Sequence, residues 1–231
     1  MKIGLPNLSW VTEVNGLGKA YRDLLKIPRY MYLPFYSDHG FCQLGYLEDH
    51  ELESQPLMHI TWNRFRYDSL KEKYNVVLYP CPLIPYWRKK YKDRRTKKNG
   101  TLIFIPHTNF GYEHEYDVVG YIKSIIENKI FEPPFNVCVH PTDNIKGLTK
   151  YLIKSQVLPE DSFVTLGNQL NYDYADEMYL LFSKYKYGVS SLPGTELFLM
   201  YELGGIYMIY GDAPVKKANN YNIQEKFKKI A

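Results

Sequence analysis

The chain after residue 100 alternates short apolar runs with stretches of helical periodicity. The apolar runs are 101–106, 135–141, 162–167, 187–191 and 205–211. The helical stretches between them are 115–129, 143–156, 173–185 and 194–203. Apolar strands that each lead into an amphipathic helix are typical of a parallel sheet covered by helices on both faces. The sequence therefore predicts an α/β domain with a parallel sheet over residues 99–211.

The basic charge of the chain is concentrated in one segment. Residues 88–98 read RKKYKDRRTKK, with eight basic side chains and one aspartate, whereas the whole chain of 231 residues has a formal net charge of +4. The remaining residues are therefore slightly acidic, which argues against a nucleic-acid-binding protein with a broad basic face. Since a like-charged segment has little to bury, we expect residues 88–98 to be a linker that ends an N-terminal domain of residues 1–98.

The residues before the basic run are less regular but also fit a small α/β domain. We expect a helix over 16–26, with Asn15 as its N-cap, and a second helix over 64–74. The expected strands are 30–36, 57–62 and 75–80. At the other end of the chain, residues 212–231 are rich in lysine and carry apolar residues at helical spacing, which predicts a terminal helix.

Cysteine usage and hydropathy limit the class of protein. The three cysteines, Cys42, Cys81 and Cys138, have no CxxC spacing, so neither a disulfide framework nor a zinc site is expected. Their low number is typical of a reducing compartment. The first residues lack the apolar segment of a signal peptide, and no stretch approaches the ~18 apolar residues of a membrane span. We expect a soluble, cytoplasmic protein.

Distinctive polar residues follow the predicted strands, at the edge where open parallel sheets bind ligands. They are His107, His140, Gly167, Ser190, Ser191, Gly211 and Asp212 in the second half of the chain. In the first half, Asp38 and His39 follow a predicted strand in the same way. Three of the six histidines lie at such strand ends, which makes this pattern the strongest functional signal of the sequence.

The segment SSLPGT, residues 190–195, precedes a predicted helix and has two interpretations. Pro193 pre-sets the first helical turn and Gly194 permits close approach of the backbone, so the helix N-terminus is suited to an anion such as a diphosphate. Ser and Thr are also ordinary helix caps, which is the structural alternative. His140 and His107 likewise fit either a phosphate-binding imidazole at the rim or a core histidine bonded to a carbonyl.

Two further polar segments complete the candidates. Asp38, followed by Gly40, fits a general base in a tight turn or an aspartate that caps the next segment. His114 lies between Glu113 and Glu115, but HxE and ExH spacings are weak metal signals. We interpret this acidic segment as an exposed helix start and expect no metal site.

The ordered motifs resemble one enzyme family. They are SDHG (37–40), HE (50–51), TLIFIPHT (101–108), CVHPTDNIKG (138–147), the helix and strand of 173–191 that end in VSS, and GTELFLMYELGGIYMIYG (194–211). Over roughly residues 30–212 this set resembles bacterial surface-polysaccharide glycosyltransferases of the GT-B type, from capsule and lipopolysaccharide gene clusters. It is also similar to the sialyltransferases and Kdo transferases that use CMP-sugars.

The resemblance implies two Rossmann-like halves, a reduced N-terminal acceptor-side domain and a C-terminal domain that binds the nucleotide-sugar. It implies inverting transfer from a CMP- or UDP-linked sugar without a metal or other cofactor. Asp38 is implied as the base, with His39 as its rival because this chain has His where the family has a second acid. His140 is implied to bind the phosphate or to protonate the leaving group. The other implied donor contacts are His107, Thr108, Pro141, Ser190, Ser191, Gly194, Thr195 and Glu202.

Other functions remain open at this stage. A nucleotide-sugar epimerase, or another sugar-modifying enzyme of the same fold, also uses carboxylates and histidines at strand ends. A non-enzymatic module that binds nucleic acid or anionic lipid through 88–98 is the third interpretation, with nucleic acid disfavoured by the charge distribution. For a glycosyltransferase with an oligosaccharide or lipid-linked acceptor, the same basic segment suits a peripheral position at the inner face of the cytoplasmic membrane.

Overall fold

A computed structural model describes residues 10–40, 45–47, 51–52, 57–94, 96–106 and 112–218. The chain forms two compact units. The first contains the residues up to 96 together with 167–181, and the second contains 97–166 and the residues from 182 onward. Among the described residues, no helix reaches both the length and the apolar content that a bilayer crossing demands.

The described elements follow each other along the chain in this order: α1 (Trp10–Glu13), α2 (Leu17–Leu25), β1 (Phe35–Ser37), β2 (Met58–Thr61), α3 (Arg64–Leu70), β3 (Val76–Leu78), α4 (Leu83–Lys90), β4 (Thr101–Phe104), β5 (Tyr112–Glu115), α5 (Val118–Glu127), β6 (Phe135–Cys138), α6 (Pro141–Ile145), α7 (Leu148–Lys154), β7 (Phe163–Val164), α8 (Tyr174–Phe182), β8 (Tyr187–Ser190), α9 (Thr195–Glu202), β9 (Ile206–Ile209) and β10 (Val215–Ala218). Short 3₁₀ turns cover Val14–Gly16 and Glu160–Ser162.

The second unit contains a five-stranded parallel sheet in the order β7-β6-β4-β8-β9. The central strand β4 is buried along its whole length, and its Ile103 pairs with Val137 on one side and Val189 on the other. These three side chains are fully buried, because neighbouring parallel strands are covered on both faces. The prediction of an α/β fold with a parallel sheet is therefore confirmed.

The order of the five strands creates a switch point. The chain places its first three strands outward from β4 in one direction and then returns to add β8 and β9 on the other side. This is the order of the first five strands of the doubly wound nucleotide-binding sheet, in which ligands bind where the winding direction changes. The switch point of this sheet lies at the carboxyl ends of β4 and β8.

The first unit contains a smaller parallel sheet in the order β1-β2-β3. All three of its strands were predicted, although β1 begins only at Phe35, directly after Pro34, which has no N–H to donate to a ladder. Asn15 is not the N-cap of α2. It lies in the preceding 3₁₀ turn with φ 58°, Gly16 is the N-cap with φ 73°, and the Asn15 side chain donates to the carbonyl of His39 at 3.1 Å.

Residues 167–181 belong to the first unit and not to a continuous domain of 99–211. The reason is that α8 packs on α4: the indole Nε1 of Trp87 donates to the carbonyl of Ala175 at 2.9 Å. The ring of Tyr91 stacks on that of Tyr179 with centroids 3.8 Å apart. The basic run is therefore not a plain linker, because its first residues form the last turn of α4 and Tyr91 packs on α8.

Two expected helical segments are strands instead. Residues 112–115, interpreted as an exposed helix start, form β5, which pairs antiparallel with β10 from the tail that was expected to be helical. Both segments are strands because their backbones pair with each other across a long stretch of sequence. The local periodicity of neither segment predicts this pairing. Helix α5 begins later, where the Asp117 side chain accepts from the N–H of Gly120 at 2.9 Å as an N-cap. The remainder of the expected tail helix, residues 219–231, lies outside the described residues.

Candidate functional site

The end of β8 places two serines at the switch point. Ser190 and Ser191 are 2% and 3% exposed. The hydroxyl of Ser190 accepts from the N–H of Leu192 at 3.4 Å. The hydroxyl of Ser191 is buried and has no hydrogen-bond partner among the described residues. A buried hydroxyl without a partner costs about 1–3 kcal/mol, so Ser191 is a donor with unused hydrogen-bonding capacity at this turn.

Two tyrosines of the second unit carry further buried hydroxyls without a partner in the described part of the chain, Tyr116 and Tyr121. The ring of Tyr121 lies beside Gly211, two residues after the end of β9, where an added Cβ would lie 3.0 Å from a ring carbon. Gly211 also has φ 86°, so glycine is required there for both reasons. Burial raises the pKa of Tyr121, which keeps this phenol protonated and able to donate.

A cleft of about 270 Å³ lies after β4, between Ile105 and the α6–α7 segment, and Tyr116 lines it, whereas Ser191 and Tyr121 do not. Its walls are mainly apolar, from Ile105, Pro106 and Leu148, and its polar groups include Tyr116, Asp143 and Lys146. Burial, followed by the neighbouring charges of Tyr121 and Asp143, raises the pKa of Tyr116. A small apolar cleft with a few convergent polar groups is the usual composition of a ligand-binding site.

The N-terminus of α9 already carries a carboxylate of the protein. Glu196 folds back over the backbone of Gly194, so that a side chain at position 194 would overlap its carboxylate oxygens. The hydroxyl of Tyr207 donates to Glu196 at 3.1 Å. Gly194 occupies the N-cap position of α9, so neither a serine nor a threonine is the N-cap residue. The positive end of the helix dipole stabilises Glu196 at this position.

Glu196 was missed by the sequence reasoning, which assigned the acidic donor contact to Glu202. The available signal was an acid in the first turn of the helix after SSLPGT. Glu202 is the last residue of α9, before the turn into β9, and a helix of this length spans about 10 Å. The structure therefore brings Thr195 and Glu196 close to Ser190 and Ser191 and leaves Glu202 at the other end of the helix.

His140 follows β6 and acts as the N-cap of α6. Its Nδ1 accepts from the N–H of Thr142 at 3.2 Å, and Pro141 occupies the first turn of the helix. An Nδ1 that accepts carries no proton, so this geometry favours the neutral imidazole with its proton on Nε2 and not the protonated ring. Strand β4 separates β6 from β8, which places the ends of those two strands about 10 Å apart along the same edge. His107 and Thr108 lie outside the described residues.

In the first unit, Asp38 is part of a buried ion cluster. Its carboxylate accepts from the hydroxyl of Thr61 at 2.6 Å and from the N–H of Trp62 at 3.3 Å, and lies 3.3 Å from Arg66. Arg66 also donates to both carboxylate oxygens of Glu51 at 2.6 Å. Burial raises the pKa of Asp38, although Arg66 and the two hydrogen bonds favour its charged form.

The side chains of the two candidate bases differ in access. Asp38 is 4% exposed, and its neighbour His39 is exposed at the surface. The partners of Asp38 come from β2, the turn after it and α3, so Asp38 joins distant elements and is not a local turn cap. Glu51 and Arg66 were missed, because nothing local in the sequence distinguishes Arg66 from the exposed Arg64 two residues earlier.

Within the described ranges, no group of three or more His, Cys, Asp or Glu side chains is arranged to hold a metal ion. The candidate functional residues lie at the carboxyl edge of the five-stranded sheet, in its cleft, and in the Asp38 cluster. No protein-family model, curated protein or solved structure matches this chain.

Proposed function

We propose that this protein is a glycosyltransferase that moves a sugar from a CMP- or UDP-linked donor to a growing surface polysaccharide or lipopolysaccharide. The observation that carries the proposal is the buried, unpartnered hydroxyl of Ser191 at the switch point of the parallel sheet. A nucleotide phosphate supplies the acceptor oxygen that such a hydroxyl lacks. The GT-B-like arrangement of two Rossmann-like halves is part of this proposal, and the parallel sheets of three and five strands support it.

In this proposal, two groups of side chains bind different parts of the donor, its phosphates and its hydroxyls. The phosphates are assigned to the hydroxyl-rich turn of Ser190 and Ser191. The ribose or sugar hydroxyls are assigned to Glu196, because a carboxylate accepts from hydroxyls and repels phosphate. Tyr207 supports Glu196 in that role, since its hydroxyl stays protonated and donates: burial and the nearby Glu196 raise its pKa.

The proposed reaction is a single displacement with inversion. The acceptor hydroxyl attacks the anomeric carbon and forms the new C–O bond, while the bond from that carbon to the phosphate oxygen breaks. The nucleotide leaves with the electron pair, and the proton of the acceptor passes to a base. The phosphate charge is stabilised by donors already in place, including Ser191 and the Nε2–H of His140.

We assign the base to His39 and a positioning role to Asp38. An exposed imidazole is accessible to an acceptor hydroxyl, and imidazole is the side chain that most often serves as a general base. The carboxylate of Asp38 is engaged by Thr61 and Arg66, and this holds the start of the loop that carries His39. In this proposal the first unit serves the acceptor and the second unit binds the donor.

A panel of nucleotides tests the proposal. We expect CMP or UDP at millimolar concentration to raise the melting temperature of the wild-type protein by mass action, and Ser191→Ala to abolish that shift. Ser155→Ala, in the same unit at the end of α7, is the matched control and is expected to keep it. Absence of any shift with every nucleotide would contradict the proposal. A nucleotide-sugar that is converted without an acceptor would assign the site to an epimerase instead.

A further inference from the structure

The first unit contains a second concave surface, separate from the sites described above. It is a groove of about 630 Å³, large enough for a small-molecule ligand. Five basic side chains line it, against one acidic side chain, Asp23. Lys89 is paired with Asp23 at 3.1 Å, and Arg22 is paired with Glu13 at 2.7 Å. The basic residues are Lys19, Arg22, Lys26, Lys89 and Lys90.

The fold concentrates these cations from segments far apart in sequence. Lys89 and Lys90 belong to the last turn of α4, which is the beginning of the basic run. Lys26 ends α2 in the left-handed conformation, with φ 57°, a backbone geometry that a residue other than glycine adopts at a cost. Part of the basic run thus faces a groove, which explains a feature that the proposed function leaves unused.

Several of these cations are held in fixed positions and keep donors to spare. Lys19 donates to Asp173 and Asp176, and Lys90 donates to Asp176 at 2.8 Å and to Tyr86 at 3.1 Å. An ammonium group has three N–H donors, so each of these lysines has one beyond its two partners. Charged donors that are already in position bind an anion with less loss of side-chain entropy.

Lys26, in the lining of the groove, and Arg29, over the ring of Tyr172, add further positive charge. Lys26 is exposed and has no ion-pair partner among the described residues. The guanidinium of Arg29 lies 4.2 Å from the centre of the Tyr172 ring, which also lines the groove, and Lys19 lies 4.7 Å from the same ring. Because cations already occupy a face of this ring, the groove is suited to a compact anion more than to stacking of a sugar or base.

We propose that this groove binds a compact ligand with two or more phosphate charges, such as a sugar diphosphate or the phosphate group of a larger glycan or lipid. The concave shape suits a discrete charged group, whereas a flat bilayer surface suits exposed lysines on a convex face. The proposal concerns the first unit alone and does not depend on the nucleotide site of the second unit.

Calorimetric titration with inorganic tripolyphosphate tests it. The informative variant is Lys26→Glu with Lys89→Glu, both exposed, and the matched control is Lys123→Glu with Lys150→Glu, two exposed lysines of the second unit. We expect the groove variant to lose at least about tenfold in affinity and the control to stay within about twofold, with binding weakened by added salt. Equal weakening in both variants, or no binding by the wild-type protein, would overturn the proposal.

A second arm of the experiment, with phosphatidylglycerol vesicles, distinguishes a lipid-linked phosphate from a soluble one. Vesicle binding that tripolyphosphate displaces and the groove variant loses supports a lipid-linked phosphate. Tripolyphosphate binding without vesicle binding supports a soluble one. Vesicle binding that survives both the variant and excess tripolyphosphate overturns the proposal in favour of a flat membrane contact. If the double charge reversal does not fold, Lys26→Gln with Lys89→Gln replaces it, and a thermal unfolding transition unchanged from that of the wild-type protein shows that the variant is folded.

Discussion

Replacing Ser191 with alanine is expected to stabilise the protein in the absence of ligand. Its side chain is 3% exposed, and its hydroxyl has no hydrogen-bond partner in the described part of the chain. The change removes one oxygen and the cost of keeping it dehydrated, and leaves almost no cavity. Since an unsatisfied buried hydroxyl costs about 1–3 kcal/mol, we expect the free energy of unfolding to rise by about 1 kcal/mol. For a chain of this length that corresponds to a melting temperature about 2–4 °C higher.

The measurement is urea unfolding and thermal unfolding of the free protein, with Ser190→Ala as the control. The Ser190 hydroxyl accepts from Leu192, so its loss leaves that N–H without a partner and lowers the free energy of unfolding. Because the chain forms two compact units, the transition of the second unit is the one to compare when the two are resolved. The two adjacent serines are thus expected to change stability in opposite directions.

A clear outcome refutes this reasoning. If Ser191→Ala destabilises the free protein as much as Ser190→Ala does, the Ser191 hydroxyl has a partner within the protein and is a structural group. If the variant is more stable but keeps the full nucleotide-induced shift, the Ser191 hydroxyl is buried at a cost in stability but does not bind the donor phosphate. If Ser191 is needed for binding and costs stability, the Ser191→Ala variant has a higher free energy of unfolding and loses the nucleotide-induced shift.

Three further predictions test the remaining clusters. Arg66→Leu leaves Asp38 and Glu51 buried without their cation and is expected to cost about 3–5 kcal/mol in urea unfolding, whereas Arg64→Leu, on the same helix with a side chain 72% exposed, is expected to cost less than about 1 kcal/mol. Burial alone would raise the pKa of Asp176, but hydrogen bonds from Lys19, Lys90, Tyr91 and Tyr86 lower it well below its usual range. Its contribution to stability is therefore present above the unfolded-state pKa of about 3.9 and is lost as the pH falls toward the lower folded-state pKa. Asp176→Asn is accordingly expected to flatten this part of the stability-against-pH curve and to cost about 1–3 kcal/mol at neutral pH, and a curve unchanged from wild type would contradict the assignment. Glu196→Gln is expected to keep the fold and to strengthen binding of inorganic phosphate to the second unit, because it removes the negative charge at the start of α9; unchanged phosphate binding would place Glu196 outside the site.

The periodicity of the chain after residue 100 was sufficient to predict the strands of the larger sheet. Near-continuous apolar runs such as TLIF require burial on both faces, and β4 is buried along its whole length. The prediction failed where a partner strand decides the structure: β5 and β10 have polar, charged sequences and exist as a pair. It also failed for Tyr91, because stacking on Tyr179 depends on where α8 lies.

The prediction of site residues was limited in the same way, to features that are visible in local sequence. Ser190 and Ser191 were found because a polar turn after an apolar strand is a local pattern, and strand ends share one edge of a parallel sheet. Glu196 and Arg66 were missed because their importance comes from partners distant in sequence, Tyr207 for the first and Asp38 with Glu51 for the second. The mistaken choice of Glu202 has a related cause. The sequence shows where a residue lies along a helix, but it does not show whether that residue is near the end of a strand.

By itself, the sequence determined that this chain forms α/β units with parallel sheets and that polar groups gather at the strand ends, because both properties follow from the periodic burial of apolar side chains. Only the tertiary structure decided the strand order that creates a switch point at β4 and β8, the burial of Ser191 without a partner, and the groove that collects part of the basic run. These features depend on contacts between residues far apart in the chain, and local propensity carries no information about which distant segment arrives as a neighbour.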